Sequence, residues 1–213
     1  MNKYKRVYVA LLVCTLSVLL TVPALAATQL TCWYSNIDEV AYTPYDGSFC
    51  TYQLCTDSAF ITKFTNALNN ASAQWNAVLP ISVGERSESY ALNSVYGGTL
   101  SQLQSRFPTL TYGAGGLTYT DGTVVDKAKY NGSTKKIVKL NVGGKLCIVH
   151  YENGGLSANV YKTVATHEMG HLLGWKGHST NAADVLYESA TEKYTLTARD
   201  KNHLKQVYTL YYE

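Results

Sequence analysis

Apolar residues recur at three- and four-residue steps at Phe60, Phe64, Leu68, Ala71, Trp75 and Val78, a period that gathers them on one face of an α-helix. Asp57 or Ser58 can cap it and Pro80 can stop it. An aromatic stripe at that spacing is core packing, so no ligand is assigned to it. Residues 159–173 predict a second long helix, with Val160, Val164, Ala165, Leu172 and Leu173 as its apolar positions. Between the two helices, short runs of β-type residues are broken by Gly97-Gly98, Asp121-Gly122, Asn131-Gly132 and Gly143-Gly144, dipeptides that suit turns with positive φ. The clearest strands are 136–142 and 145–151, and 101–107 reads as a short helix. Gly113-Ala114-Gly115-Gly116 lacks the Lys-Ser or Lys-Thr of a phosphate loop and reads as a flexible connection. Residues 28–56, rich in Tyr, Thr, Asp and Cys without a period, read as one strand plus loops.

The first 26 residues belong to a different pattern. Lys3, Lys5 and Arg6 precede an apolar run from 7 to 20, and Ala24-Leu25-Ala26 offers a small-x-small cleavage site. The run is shorter than the ~20 residues of a spanning helix, so a signal peptide is expected rather than an anchor, and with it a secreted, extracellular product. Cleavage after Ala26 leaves 187 of the 213 residues, enough for one substantial core and therefore one domain, 27–213. The chain carries 18 basic and 15 acidic residues; losing Lys3, Lys5 and Arg6 leaves 15 against 15. A near-neutral domain gives no reason to expect nucleic acid or an anionic membrane as partner. Cys32, Cys50, Cys55 and Cys147 remain, and an even number in a secreted chain predicts two disulfides of undetermined connectivity.

The chemistry is concentrated on the second helix. In Thr166-His-Glu-Met-Gly-His171, the two histidines stand four apart, so helical geometry stacks their imidazoles on one face where they can grip one cation. Neutral imidazoles suit Zn²⁺ and leave coordination positions for a third ligand and a water. Glu168, beside His167, is the residue to take a proton from that water. Gly174 stands where the helix should stop, and His178 lies within reach beyond it as the third ligand. Glu188 and Glu192 are the alternatives for that position, as in zinc peptidases of the thermolysin type. A module in which the metal is purely structural, such as a secreted binding protein, is the reading from a different class.

The stretch His-Glu-Met-Gly-His-Leu-Leu-Gly-Trp-Lys-Gly-His178 resembles the metzincin signature H-E-x-x-H-x-x-G-x-x-H, and is most similar to its matrixin branch. Ala73-Gln-Trp-Asn76, Ile137-Val-Lys-Leu-Asn141 and Tyr194-Thr-Leu-Thr-Ala-Arg-Asp200 with Leu204 and Tyr208 look like further matrixin elements. The resemblance implies an α+β, zincin/metzincin-like single domain. It would hold a twisted mixed β-sheet, two long helices with the zinc site on the second, and a C-terminal helix. It also implies a zinc-dependent endopeptidase with one catalytic Zn²⁺, ligands His167, His171 and His178, general base Glu168, and protein or peptide substrates; a monomer is expected. Two positions depart from the family: Gly177 stands where its third histidine would, one residue before His178, and Leu186 stands at the Met-turn. Tyr187 is left outside the core site. Thr197 and Asp200 suit the start of the final helix, a structural role. Asp121 and Asp126 flank a turn and are weak candidates for the calcium that family members often bind.

Overall fold

The protein is described by a computed structural model covering residues 27–152, 155–189 and 192–212; the expected leader lies outside the described residues. The elements are β1 (Glu39–Tyr42), β2 (Gly47–Gln53), α1 (Ser58–Asn76), β3 (Val83–Glu85), β4 (Asn93–Thr99), α2 (Leu100–Gln104), β5 (Gly116–Tyr119), β6 (Gly122–Tyr130), β7 (Ser133–Leu140), β8 (Lys145–His150), α3 (Ala158–Leu173) and α4 (Ala198–Tyr211). They form an α+β fold of the zincin type, with a mixed sheet and a C-terminal helix.

The strands divide between two sheets. One has the order β3-β2-β4-β8-β5, with β5 antiparallel to β8 and the other neighbours parallel. The other has the order β1-β7-β6. Asn131 and Gly132 both take positive φ and close the β6–β7 hairpin, as the dipeptide predicts. The Gly143-Gly144 turn instead carries the chain from one sheet to the other. Residues 28–56 contain two strands, β1 and β2, rather than one.

Helix α1 begins where its cap was expected: the Asp57 side chain accepts from the Phe60 amide at 2.9 Å. Phe60, Phe64, Ala67, Leu68, Ala71 and Trp75 are buried, and this face packs against α3. Each large side chain there contributes about 1.5–3 kcal/mol relative to exposure. Trp75 also donates from Nε1 to the Thr166 carbonyl at 3.0 Å, so the core contact fixes the residue next to the first histidine. α2 is shorter than the segment expected; a capping box between Thr99 and Gln102 starts it.

The expected disulfides are absent: Cys32, Cys50, Cys55 and Cys147 are all free thiols. Register explains one of the failed pairings. Cys50 lies opposite Ser94 on β4, and Cys147 lies opposite Tyr96 on the far side of that strand. Two strand spacings of about 4.8 Å put them beyond the ~7 Å that a bridge can span. Burial pushes the Cys147 thiol up to about 12, so this sulfur is an inert core residue.

Candidate metal centre and active-site cleft

Helix α3 is capped by Ser157, whose side chain accepts from the Val160 amide, and it ends at Gly174. Gly174 has φ +123°, and a Cβ there would collide with the Ala41 carbonyl of β1, so the sharp exit from the helix requires glycine. The Ala41 amide donates to the Gly174 carbonyl at 2.8 Å, fastening the turn to the sheet. The chain then loops back through 175–178. Gly177, at φ +68°, absorbs the residue that the loop carries in excess of the family spacing. Asn36 clamps the next position from both sides, its side-chain oxygen accepting from the His178 amide at 2.8 Å and its own amide donating to the His178 carbonyl at 2.9 Å.

The result is a convergence of His167, His171 and His178, whose ligand atoms all lie within 4.8 Å of one another. His167 Nδ1 faces the Val185 carbonyl at 2.8 Å, and His171 Nδ1 faces the Trp175 carbonyl at 2.8 Å. Carbonyl oxygens only accept, so both Nδ1 atoms carry the proton and both Nε2 atoms present bare lone pairs. Those two nitrogens stand 3.0 Å apart. With no proton between them they repel, and a cation relieves this: two ligands at 2.0–2.1 Å in a tetrahedral shell are separated by about 3.3 Å. Burial holds all three imidazoles below their ordinary value, His167 to about 4 and His171 well below it, so they are neutral and able to ligate. The donor set therefore fits zinc.

Glu168 is buried beside this triad. Thr118 of β5 donates to its Oε2 at 2.7 Å, and burial pushes the carboxyl up to about 7. A dication at the histidines would favour the carboxylate again. Leu186, at the Met-turn position, is fully buried beneath the helix, where a Cβ on Gly170 would lie 3.0 Å from its Cδ1. Asp200 ties this turn to α4, accepting from the amides of Val185 and Leu186 at 3.1 and 3.2 Å. Thr197 is expected to cap α4 with Asp200 in its first turn, and the capping box between them is present.

The site opens into a cleft of about 900 Å³ between β5 on one side and α3 with the 175–178 loop on the other. β5 is an edge strand. Its residues Gly116 and Thr118, with Thr120 just past its end, face Val164, Glu168 and Lys176 in turn. Tyr151 pins the glycine-rich loop at one end, accepting from the Gly113 amide at 3.1 Å and donating to the Ala114 carbonyl at 2.7 Å.

The other residues weighed from sequence fall elsewhere. Glu192 accepts from Ser157 at 2.7 Å, at the opposite end of α3. Glu188 lines the cleft but is not among the converging donors. Tyr187 does not line it. Asp121 and Asp126 are each engaged by the adjoining backbone amide, and Asp126 also by the Tyr211 hydroxyl at 2.8 Å. Thr118 and Lys176 carry no sequence signal; only the pairing of β5 with β8 brings Thr118 to the helix.

A helix-borne histidine pair, a third histidine beyond a glycine turn, and a buried glutamate beside an edge strand form the arrangement expected of a zincin-class metallopeptidase site. The family model described as Matrixin matches residues 114–209, a span that runs from the cleft loop into α4 and holds every residue of the site. Over that span the chain is similar to the matrixin zinc metallopeptidases. The comparison with curated proteins finds no match.

Proposed function

We propose that the protein is a secreted zinc endopeptidase, released from a leader at residues 1–26 and acting as a monomer through the domain 27–213. His167, His171 and His178 would hold one zinc ion. The observation that carries this reading is the pair of bare Nε2 lone pairs 3.0 Å apart with Glu168 buried at their side. Bound there, zinc supplies Lewis acidity, polarising a peptide carbonyl and lowering the pKa of a water in the open position.

The protein's own residues do the rest. Glu168 accepts the water's proton and passes it to the departing amine, so no covalent intermediate is needed. The hydrogen bond from Thr118 aims its carboxylate. The free edge of β5 can take an extended peptide as an added strand, which lays the scissile bond across the cleft. Because the cleft is open rather than blind, internal bonds are accessible.

The test is turnover of an unfolded protein substrate by residues 27–213 with and without a chelator. Glu168→Ala should abolish turnover with zinc content unchanged; persisting activity refutes the mechanism. His178→Ala should lose most of the zinc affinity and Glu192→Ala should not. The opposite result would favour a glutamate ligand.

A further inference from the structure

Lys176 is a cation built into the cleft wall with no carboxylate in ion-pair contact among the described residues. It lies half-buried in the 175–178 loop, held from behind by Ser35, whose hydroxyl donates to the Lys176 carbonyl at 2.5 Å. Its side chain reaches across to the residue that follows β5, where Nζ donates to Thr120 Oγ1 at 2.7 Å. No carboxylate pairs with it among the described residues. Glu39 and Asp121 act on it by charge without a hydrogen bond to it, and both are bound elsewhere: Glu39 pairs with Lys136 at 2.8 Å, and Asp121 accepts from the Gly122 amide at 2.7 Å. The acids that line the cleft are Glu168, bound by Thr118, and Glu188. An ammonium costs free energy to desolvate, and one neutral hydroxyl compensates it poorly.

Its position in the strand alternation gives it a meaning. Thr118 on β5 and Thr120, one residue past its end, both line the cleft, about 6.6 Å apart for an extended chain. Thr118 is the residue that touches Glu168. We propose that Lys176 is a specificity-determining residue that selects peptide substrates carrying a carboxylate side chain about two positions from the scissile bond, on the side lying over Thr120. The inference rests on the peptidase reading and names its substrate class. A substrate Asp or Glu laid along β5 gives Lys176 the direct carboxylate contact that it lacks among the described residues, and Thr120 Oγ1 holds the ammonium in place until it arrives.

Cleavage of a peptide library by the full domain, sequenced at both product ends, tests this. The wild type should favour Asp or Glu at one position within two or three residues of the cut. The gain in kcat/KM over a neutral peptide should be roughly ten- to a hundredfold, the worth of a charge-assisted hydrogen bond. Lys176→Gln should remove the preference, and Lys176→Glu should turn it toward Lys or Arg at the same position. Thr120→Val, which deletes the brace and keeps the charge, should retain it. A wild type that cleaves without acidic preference, or a Lys176→Glu profile unchanged from wild type, overturns the assignment and leaves the peptidase reading standing. A wild type that cleaves no peptide overturns both.

Discussion

Replacing Asp200 by Asn tests how the C-terminal helix supports the metal centre. The carboxylate is completely buried; Oδ2 accepts from the Val185 amide at 3.1 Å, the Thr197 amide at 2.8 Å and the Thr197 hydroxyl at 3.0 Å, and Oδ1 accepts from the Leu186 amide at 3.2 Å. Asparagine has the same shape but only one acceptor. The less costly orientation puts its oxygen at the Oδ2 position, which turns its amide group donor-to-donor against the Leu186 N–H. That strands one buried donor, a loss of about 1–3 kcal/mol, and takes the charge assistance from the remaining bonds. Burial pushes the Asp200 carboxyl up, so removing the charge returns part of its desolvation cost. A net loss of about 2 kcal/mol is expected, or about 4–8 °C in Tm at roughly 2–4 °C per kcal/mol for a domain of this size. The turn that loosens also carries the Val185 carbonyl that orients His167. Zinc affinity should therefore fall about ten- to a hundredfold, the usual cost of losing a ligand's supporting contact. Thermal unfolding in chelator reads the first effect and competition with a chromophoric chelator reads the second. A lowered Tm with wild-type zinc affinity would refute the coupling between α4 and the metal.

Three further outcomes follow from the same geometry. Chelation should lower Tm, because zinc at a thousand times its Kd contributes about 4 kcal/mol, or roughly 8–16 °C, and scanning calorimetry with and without metal measures it. Leu186→Met conserves volume and should cost less than about 1.5 kcal/mol, while Leu186→Ala should cost about 2–5 kcal/mol by leaving a cavity beneath α3; denaturant midpoints distinguish them. His203 is packed on Trp175 at 4.0 Å between ring centroids, and burial lowers it to about 3. Between its ordinary value of 6.5 and about 3 the unfolded chain binds a proton that the folded chain refuses, so stability falls as pH falls through that window. His203→Phe should flatten that part of the stability–pH curve in chelator, and an unchanged slope would count against the assignment.

What could be read from the chain was local. The α1 stripe, the Asp57 cap, and His167 four residues before His171 depend only on local spacing, and each appears in the structure, save that α1 ends at Asn76 and leaves Val78 beyond the helix. The cysteines show the opposite case: parity suggested bridges, but whether two thiols can meet depends on β4 lying between Cys50 and Cys147, which no count reveals. The Gly143-Gly144 dipeptide marks a turn without saying that the next strand joins another sheet. Nor does anything near Thr118 or Thr120 mark them as cleft residues, since the alternation that turns them toward α3 acts only once β5 pairs with β8.

The third histidine lies between these extremes. Motif spacing alone would put Gly177 at the metal, and the chain offers no local reason for the histidine to work one position later. The reason is 142 residues away in sequence. Asn36 binds the His178 amide and carbonyl together, and a Cβ at position 177 would collide with that same Asn36 side chain. Position 177 therefore has to be glycine with positive φ for the clamp to close. Once it closes, the extra residue is taken up in the backbone, and the imidazole of His178 is brought to the other two.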